Sequence, residues 1–370
     1  MHTIVRESER LSIGDTYTAR YICPIALVLV ALLAGCGGGI GNRGIYASAY
    51  SVSELPMAET QTISEAWFVD NSGRIIGVVS PDTGTGGFCA WLPGQTDPTL
   101  LSIPDEVSYC IITENMIGVR FQRMSNQGRM AYIGDHTTGI VDLLSGVTVA
   151  LPGLPGTPCA APNDINDFGV CVGTCYPDSG RGDPALPAMW LADGQVRQLA
   201  LPPGCGGGEA NAINGLGQIV GTVHSEKYPY LGHAVVWNAD GSVARVIPWT
   251  AEQEQRGSGA RGLLISDNGY VVVSDSIGYC FVSLYGSVRY TVWRGIGEDI
   301  FAINSRGQVS GFDAEGPVVW NPDGTKIRLP LPSEGALCEA WDIGDDGVVV
   351  GTAQTQDPPR TVAVKWTPVR

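Results

Sequence analysis

A four-residue turn motif recurs seven times along this chain, and that recurrence restricts its fold more than any other feature. The copies are Asp70-Asn-Ser-Gly73, Ser125-Asn-Gln-Gly128, Asn166-Asp-Phe-Gly169, Asn214-Gly-Leu-Gly217, Ser266-Asp-Asn-Gly269, Asn304-Ser-Arg-Gly307 and Gly344-Asp-Asp-Gly347. A fixed repeat means one supersecondary unit copied in series. In most copies the first side chain is Asn, Asp or Ser, which hydrogen-bonds its own backbone two residues on. Gly at the fourth position takes positive φ at no steric cost, so each copy predicts a tight hairpin.

The flanks have strand composition. Arg74-Ile-Ile-Gly-Val-Val79, Gln218-Ile-Val-Gly-Thr-Val223 and Val348-Val-Val-Gly-Thr352 follow a turn. Ala66-Trp-Phe-Val69, Ala210-Asn-Ala-Ile213 and Ala340-Trp-Asp-Ile343 precede one. Such β-branched and aromatic runs suit short, half-buried strands. A second Gly (Gly77, Gly173, Gly221, Gly311, Gly351) sits four residues past the turn Gly. Gly weakens a strand unless backbone approaches closely there, and crowding near a central axis is the expected reason.

Each hairpin is followed by a second one. His233-Ala-Val-Val-Trp237 leads through Ala239-Asp-Gly241 to Val246-Ile-Pro248, and Pro317-Val-Val-Trp320 leads through Pro322-Asp-Gly324 to Leu329-Pro-Leu-Pro332. Asp-Gly between apolar runs is a strong hairpin signal. Two hairpins make four strands per repeat, and turn glycines separated by roughly 40–50 residues fit propeller blades. The expected fold is therefore an all-β propeller of seven four-stranded blades. The last repeat lacks its outermost strand, and Tyr50-Ser-Val-Ser-Glu-Leu-Pro56 reads as an orphan strand that closes it, leaving no open edge.

Ala210-Asn-Ala-Ile-Asn-Gly-Leu-Gly-Gln-Ile-Val-Gly221 followed by His233-Ala-Val-Val-Trp237 resembles the HAF repeat of bacterial extracellular proteins. The likeness extends loosely over most of residues 49–370. It implies the fold and an extracytoplasmic location; the family offers no shared reaction or catalytic residues to carry over.

An apolar run ending in Leu33-Ala-Gly-Cys36 is short for a membrane span and resembles a bacterial lipobox. The expected organisation is a lipoprotein signal peptide (1–35), a flexible Gly-rich tether (36–48) and the propeller (49–370). Cys36 is the expected lipid attachment, with the bilayer as partner through an acyl anchor. Gly37, where an Asp would oppose it, points by resemblance to the Gram-negative outer membrane.

The chain carries 22 basic and 37 acidic side chains, a net charge of −15. Residues 1–35 hold three of each, so processing leaves the charge unchanged. So acidic a domain does not hold nucleic acid by its phosphates. Eight cysteines lie beyond the anchor: Cys89, Cys110, Cys159, Cys171, Cys175, Cys205, Cys280 and Cys338. An even number in an oxidising compartment predicts disulfides, among 105 possible pairings. Seven are expected on the face where the longer loops open, with Cys171 deeper in its strand. Cys171 and Cys175 have no partner pair at zinc-site spacing, so no metal or other cofactor is expected.

No Ser-His-Asp, Cys-His or Gly-x-Ser-x-Gly arrangement is present. The acidic turns lack the alternation of a calcium loop, and Arg181-Gly-Asp183 reads as a solvated loop. Three long loops carry Tyr176, Arg181, Lys227, Tyr228, Tyr230, Tyr279, Tyr285, Arg289 and Tyr290, the residue types that interfaces favour. Glu209, Glu298 and Glu339 sit near inner-strand entrances and could face a channel. The leading expectation is a non-enzymatic envelope module binding a protein or glycan through its loops. An exported polysaccharide hydrolase or lyase with channel acids, and a structural protein without a ligand, are the alternatives.

Overall fold

The computed structural model describes residues 46–57, 61–81, 86–104, 107, 124–133, 137–178, 184–228, 231–248, 259–275, 278–285, 289–293 and 299–369, with backbone only at 289–293. Cys36, Cys110, Arg181, Tyr230 and Glu298 lie outside these residues, as do the expected signal peptide and nearly all of the tether. Residues 44–370 form one compact unit.

After β1 (Ala49–Glu54), the first repeat comprises β2 (Ile63–Val69), β3 (Ile75–Ser80), β4 (Gly87–Trp91) and β5 (Thr99–Leu100). The second contributes β6 (Arg129–Ile133), β7 (Thr138–Asp142) and β8 (Thr148–Ala150). The third has β9 (Cys159–Ile165), β10 (Cys171–Tyr176), β11 (Leu186–Trp190) and β12 (Val196–Gln198), and the fourth β13 (Cys205–Ile213), β14 (Ile219–Ser225), β15 (Gly232–Trp237) and β16 (Val243–Val246). Next come β17 (Arg261–Ile265), β18 (Tyr270–Ser274), β19 (Gly278–Ser283) and β20 (Arg289–Trp293), then β21 (Asp299–Ile303), β22 (Val309–Asp313), β23 (Gly316–Trp320) and β24 (Lys326–Arg328). The chain ends on β25 (Leu337–Ile343), β26 (Val349–Gln356) and β27 (Pro359–Val369).

Within each repeat the strands are antiparallel neighbours in sequence order, and the whole is an all-β propeller arrangement. β1 pairs with β27 from Ala49↔Val369 to Glu54↔Val364. A parallel bridge, Ile63↔Thr361, joins the first and last repeats into one eight-stranded sheet. The N-terminal strand therefore covers the edge of the C-terminal one, as the orphan segment predicts.

All seven turn glycines have φ between 76 and 90°. First-position oxygens close their own turns: Asn214 Oδ1 accepts the Leu216 and Gln218 N–H groups at 3.1 and 2.8 Å. The second glycine has a different cause from the expected axial crowding. The inner strand carries a β-bulge opposite it, at Ala66/Phe68, Ala210/Ala212, Ile300/Ala302 and Ala340/Asp342. A Cβ on Gly77, Gly221, Gly311 or Gly351 would lie 1.9–2.1 Å from a carbonyl oxygen of that inner strand. The bulge pushes backbone into the space of a side chain, and only Gly fits.

The Trp and Leu-Pro strands turn out to be one device. Nε1–H of Trp91, Trp190, Trp237 and Trp366 donates to the carbonyl of Pro56, Pro152, Ala200 and Pro330, at 2.6–2.7 Å. Each acceptor directly follows a buried Leu (Leu55, Leu151, Leu199, Leu329) at the end of the preceding repeat. That Leu also extends its own sheet, as Leu199 N–H does to Pro187 O at 2.9 Å. The working pairs are thus Leu199-Ala200 and Leu329-Pro330, not the Leu-Pro pairs two residues later. Val282 pairs with Val271 at the position of the Trp in the fifth repeat.

Between β22 and β24, buried Asp313 meets Arg328 and Lys326 at 2.5–2.9 Å. Burial opposes its ionisation, but hydrogen bonds from both cations and from the Glu315 N–H outweigh this and hold the carboxyl far below its usual range. A depressed folded-state pKa adds stability above about pH 4, the unfolded value, and loses it as pH falls toward the folded one. Asp313→Asn should cost about 2 kcal/mol at neutral pH, half-exposed Lys326 adding little. Urea midpoints at neutral pH and below about pH 3 check this: the gap between the two proteins should shrink in acid.

Candidate functional site

The inner strands converge on a cavity of about 150 Å³ at the end where the seven turns lie, here the turn face. Its wall includes Phe68, Met124, Phe301 and Trp341, and its rim is built from second-position turn residues. Among the described residues that line it there is no Lys, Arg or His.

The rim is a chain of hydrogen bonds from one repeat to the next. Asn71 N–H donates to Asn126 Oδ1 (2.7 Å), and Asn126 donates to Asp167 through its N–H (2.6 Å) and Nδ2 (2.9 Å). Gly215 N–H donates to Asp267 Oδ1 (2.7 Å) and Ser305 N–H to Asp345 Oδ1 (2.8 Å). Asn71 Nδ2 reaches Asp345 Oδ2 (2.6 Å), linking the last repeat to the first. A deeper tier repeats the pattern: Asn166, Asn214 and Asn304 donate Nδ2 to the carbonyls of Asn214, Ser266 and Gly344. Buried Asp164 and half-buried Asp342 accept the Ile213 and Val69 N–H groups, both at 2.9 Å. These carboxylates are inter-repeat staples rather than parts of single turns.

A second acidic set lies at the opposite, loop-side ends of the inner strands. Register aligns Glu65↔Val78, Glu209↔Thr222, Asp299↔Phe312 and Glu339↔Thr352. Asp299, not Glu298, therefore matches Glu209 and Glu339. Glu65 belongs to the set as well, and the shared Glu-Ala-Trp of residues 65–67 and 339–341 could have revealed it. Glu209 is paired with Arg261 at 3.2 Å. Asp299 accepts Tyr279 Oη–H at 3.0 Å, and Glu65 accepts Trp67 Nε1–H at 2.9 Å. Glu339 touches solvent but is crowded by protein, and that desolvation, with the Glu65 charge second, raises it above the ordinary carboxylate value.

The expected binding tyrosines divide. Tyr176 and Tyr228 are partly exposed, and Lys227 Nζ lies 5.1 Å from the Tyr228 ring centre. Burial, then Glu209, raises the Tyr176 hydroxyl, placing Tyr176 beside the Glu209–Arg261 pair. Tyr279 is buried and hydrogen-bonded, so it is not a loop contact. Tyr285 is 72% exposed but follows β19 and covers Gly269, which puts it on the turn face instead. For Arg289 and Tyr290 only the backbone, in β20, is described.

Among the described residues Cys89, Cys159, Cys171, Cys175, Cys205 and Cys338 are not joined in disulfides. Cys89 and Cys280 lie within β4 and β19, paired to Gly77 and Val273, rather than in loops. Burial pushes the Cys89 thiol up to about 12, and burial and then Glu339 do the same for Cys338. Thiols so raised are poor nucleophiles. Burial, then His224, lowers His233, which pairs with Val223 inside the sheet. Among the described residues no three His, Cys, Asp or Glu are placed to hold a metal ion.

The sequence matches no known family profile and no curated protein. Its similarity to solved structures is in fold. One of two prolyl endopeptidases analysed together aligns with a TM-score of 0.52 at 10% identity, over 84% of this chain and 50% of that one. Virginiamycin B lyase from Staphylococcus aureus aligns with a TM-score of 0.51 at 11% identity, over 86% and 100%. Puromycin hydrolase aligns at 0.50 and 14%, over 87% and 55%. The chain thus spans about half the length of the prolyl endopeptidase and puromycin hydrolase chains and the full length of the lyase.

Proposed function

We propose that this chain is an exported lipoprotein, held at the outer membrane through Cys36, whose HAF-type propeller is a non-enzymatic recognition module for a protein or glycan. Counting the shared eight-stranded sheet as a first and a last repeat gives seven blades, with β1 completing the seventh. The reading rests chiefly on the rim carboxylates: they accept backbone N–H groups across blade boundaries, as structural groups do. Tyr176, Glu209 and Arg261, with Lys227 and Tyr228 nearby in sequence, offer the aromatic and charged contacts that recognition uses. A screen of glycans and secreted proteins against residues 44–370 tests it. Retention that weakens in Tyr176→Ala with Tyr228→Ala supports the reading; retention unchanged in that variant overturns the assignment of the loops.

The hydrolase or lyase reading draws on one observation: burial, then the neighbouring Glu65 charge, raises Glu339 above the ordinary carboxylate value, as a general acid requires. Product formation from a polysaccharide that stops in Glu339→Gln would establish that reading and remove the first.

A further inference from the structure

At the loop-side ends of the inner strands, one level carries the charge of that face. Two residues before each β-bulge stand Glu65, Ala161, Glu209, Arg261, Asp299 and Glu339. Arg261 is the one basic side chain among these six, and it faces a carboxylate: Arg261 Nη2 donates to Glu209 Oε2 at 3.2 Å.

The fold holds this pair in place. Asn211, the bulge residue two beyond Glu209, donates Nδ2–H to Gly262 O at 2.7 Å, next to Arg261 in the following repeat. Gly208 N–H, one residue before Glu209, donates to Ala185 O at 2.8 Å and ties in the segment ahead of β11. Tyr176 ends β10, which packs against β13, and its hydroxyl lies close enough to Glu209 and Arg261 to feel both charges. Three successive repeats thus bring together an aromatic ring, a carboxylate and a guanidinium. All touch solvent: Tyr176 is 43% exposed, and the Arg261 and Glu209 side chains 47% and 29%. Groups seated on strands fixed by hydrogen bonds need little reordering to bind.

Chemistry narrows the ligand. A carboxylate only accepts and a guanidinium only donates, and here they stand side by side. Neighbouring hydroxyls of a sugar ring donate to the one and accept from the other, while the C–H face of the ring lies on Tyr176. Protein interfaces instead centre on large anchors in fully desolvated pockets. Carboxylates outnumber the single Arg at this level, so an anionic glycan is repelled. A cationic ligand must displace Arg261 from Glu209. We infer that Tyr176, Glu209 and Arg261 bind a neutral glycan through a vicinal diol, which rests on the recognition reading above and narrows it to an uncharged sugar.

The test is calorimetric titration of the full mature chain in zwitterionic detergent at pH 6. The probes are neutral hexasaccharides of gluco, manno and galacto configuration, anionic hexagalacturonate and cationic hexaglucosamine. At least one neutral hexasaccharide should bind, with an affinity that changes less than about twofold between low and high salt. Glu209→Gln, Arg261→Lys and Tyr176→Ala should each weaken it about tenfold, while Phe168→Ser on the turn face leaves it unchanged. Lys keeps the charge but loses the planar fork, so a purely electrostatic role would survive Arg261→Lys. The three substituted side chains touch solvent, so the variants keep the fold. Tighter binding of either charged hexamer than of every neutral one, steep salt dependence, or indifference to the three variants would each overturn the inference. Retention of a secreted protein that Tyr176→Ala abolishes, with no neutral saccharide bound, would overturn it while leaving the recognition reading standing. Loss of both would remove the two together.

Discussion

A chain that begins at Gln61 should lose cooperative unfolding at room temperature and associate through β27. The loss is large because β1 does three jobs. It pairs with β27 over six residues, and Leu55 N–H extends the ladder to Ala363 O at 2.8 Å. It buries Tyr50 and Leu55. It ends on the Pro56 carbonyl that accepts Trp91 Nε1–H in the first repeat. At about 1.5–3 kcal/mol for each large buried apolar side chain and about 1 kcal/mol per net hydrogen bond, the total exceeds about 6 kcal/mol. That rivals the whole stability of an ordinary domain, about 5–15 kcal/mol. The truncation also bares an eleven-residue strand, and long open edges pair with other chains. Urea unfolding and sedimentation velocity together check the prediction. A monomer with an unchanged midpoint would show that β1 decorates the seam rather than closing it.

Trp237→Ala is expected to cost about 4 kcal/mol, with Trp366→Ala close behind. Both indoles are fully buried. Truncating a buried aromatic to Ala removes transfer energy and leaves a cavity, together about 3–5 kcal/mol. The Ala200 carbonyl also loses its 2.6 Å partner at the joint between two repeats, adding roughly 1 kcal/mol. Trp237→Phe should cost about half as much, because the ring refills most of the space while the donor is gone. Phe168→Ser, on an exposed turn, should stay within about 0.5 kcal/mol of the parent. Chemical denaturation of the four variants tests the order. Equal midpoints for Trp237→Ala and Phe168→Ser would refute the clamp.

The candidate sites were legible only in part. First-position Asn and Ser announced the turns because that hydrogen bond is local. The second function of the same Asn, donating Nδ2 to the next repeat, links residues 40–52 positions apart and leaves no local signature. Glu298 was a natural guess from spacing, but register makes Asp299 the matching residue: a one-residue slip reverses which way a strand side chain points. Glu65 shares Glu-Ala-Trp with Glu339, but in isolation that tripeptide reads as ordinary strand. Tyr285 was grouped with the loop tyrosines by composition, and only the path of β19 sends it to the other face.

From the sequence alone came the repeat, the hairpins, the positive-φ glycines and the orphan strand at the N-terminus, because each is set by chemistry within a few residues. Tertiary structure decided the rest. It explained the second glycine by a bulge in the neighbouring strand, and the Trp and Leu-Pro signatures by a clamp between successive repeats. It turned the acidic turns into staples between repeats. These depend on distances between backbone groups far apart in the chain, which pattern and propensity do not encode.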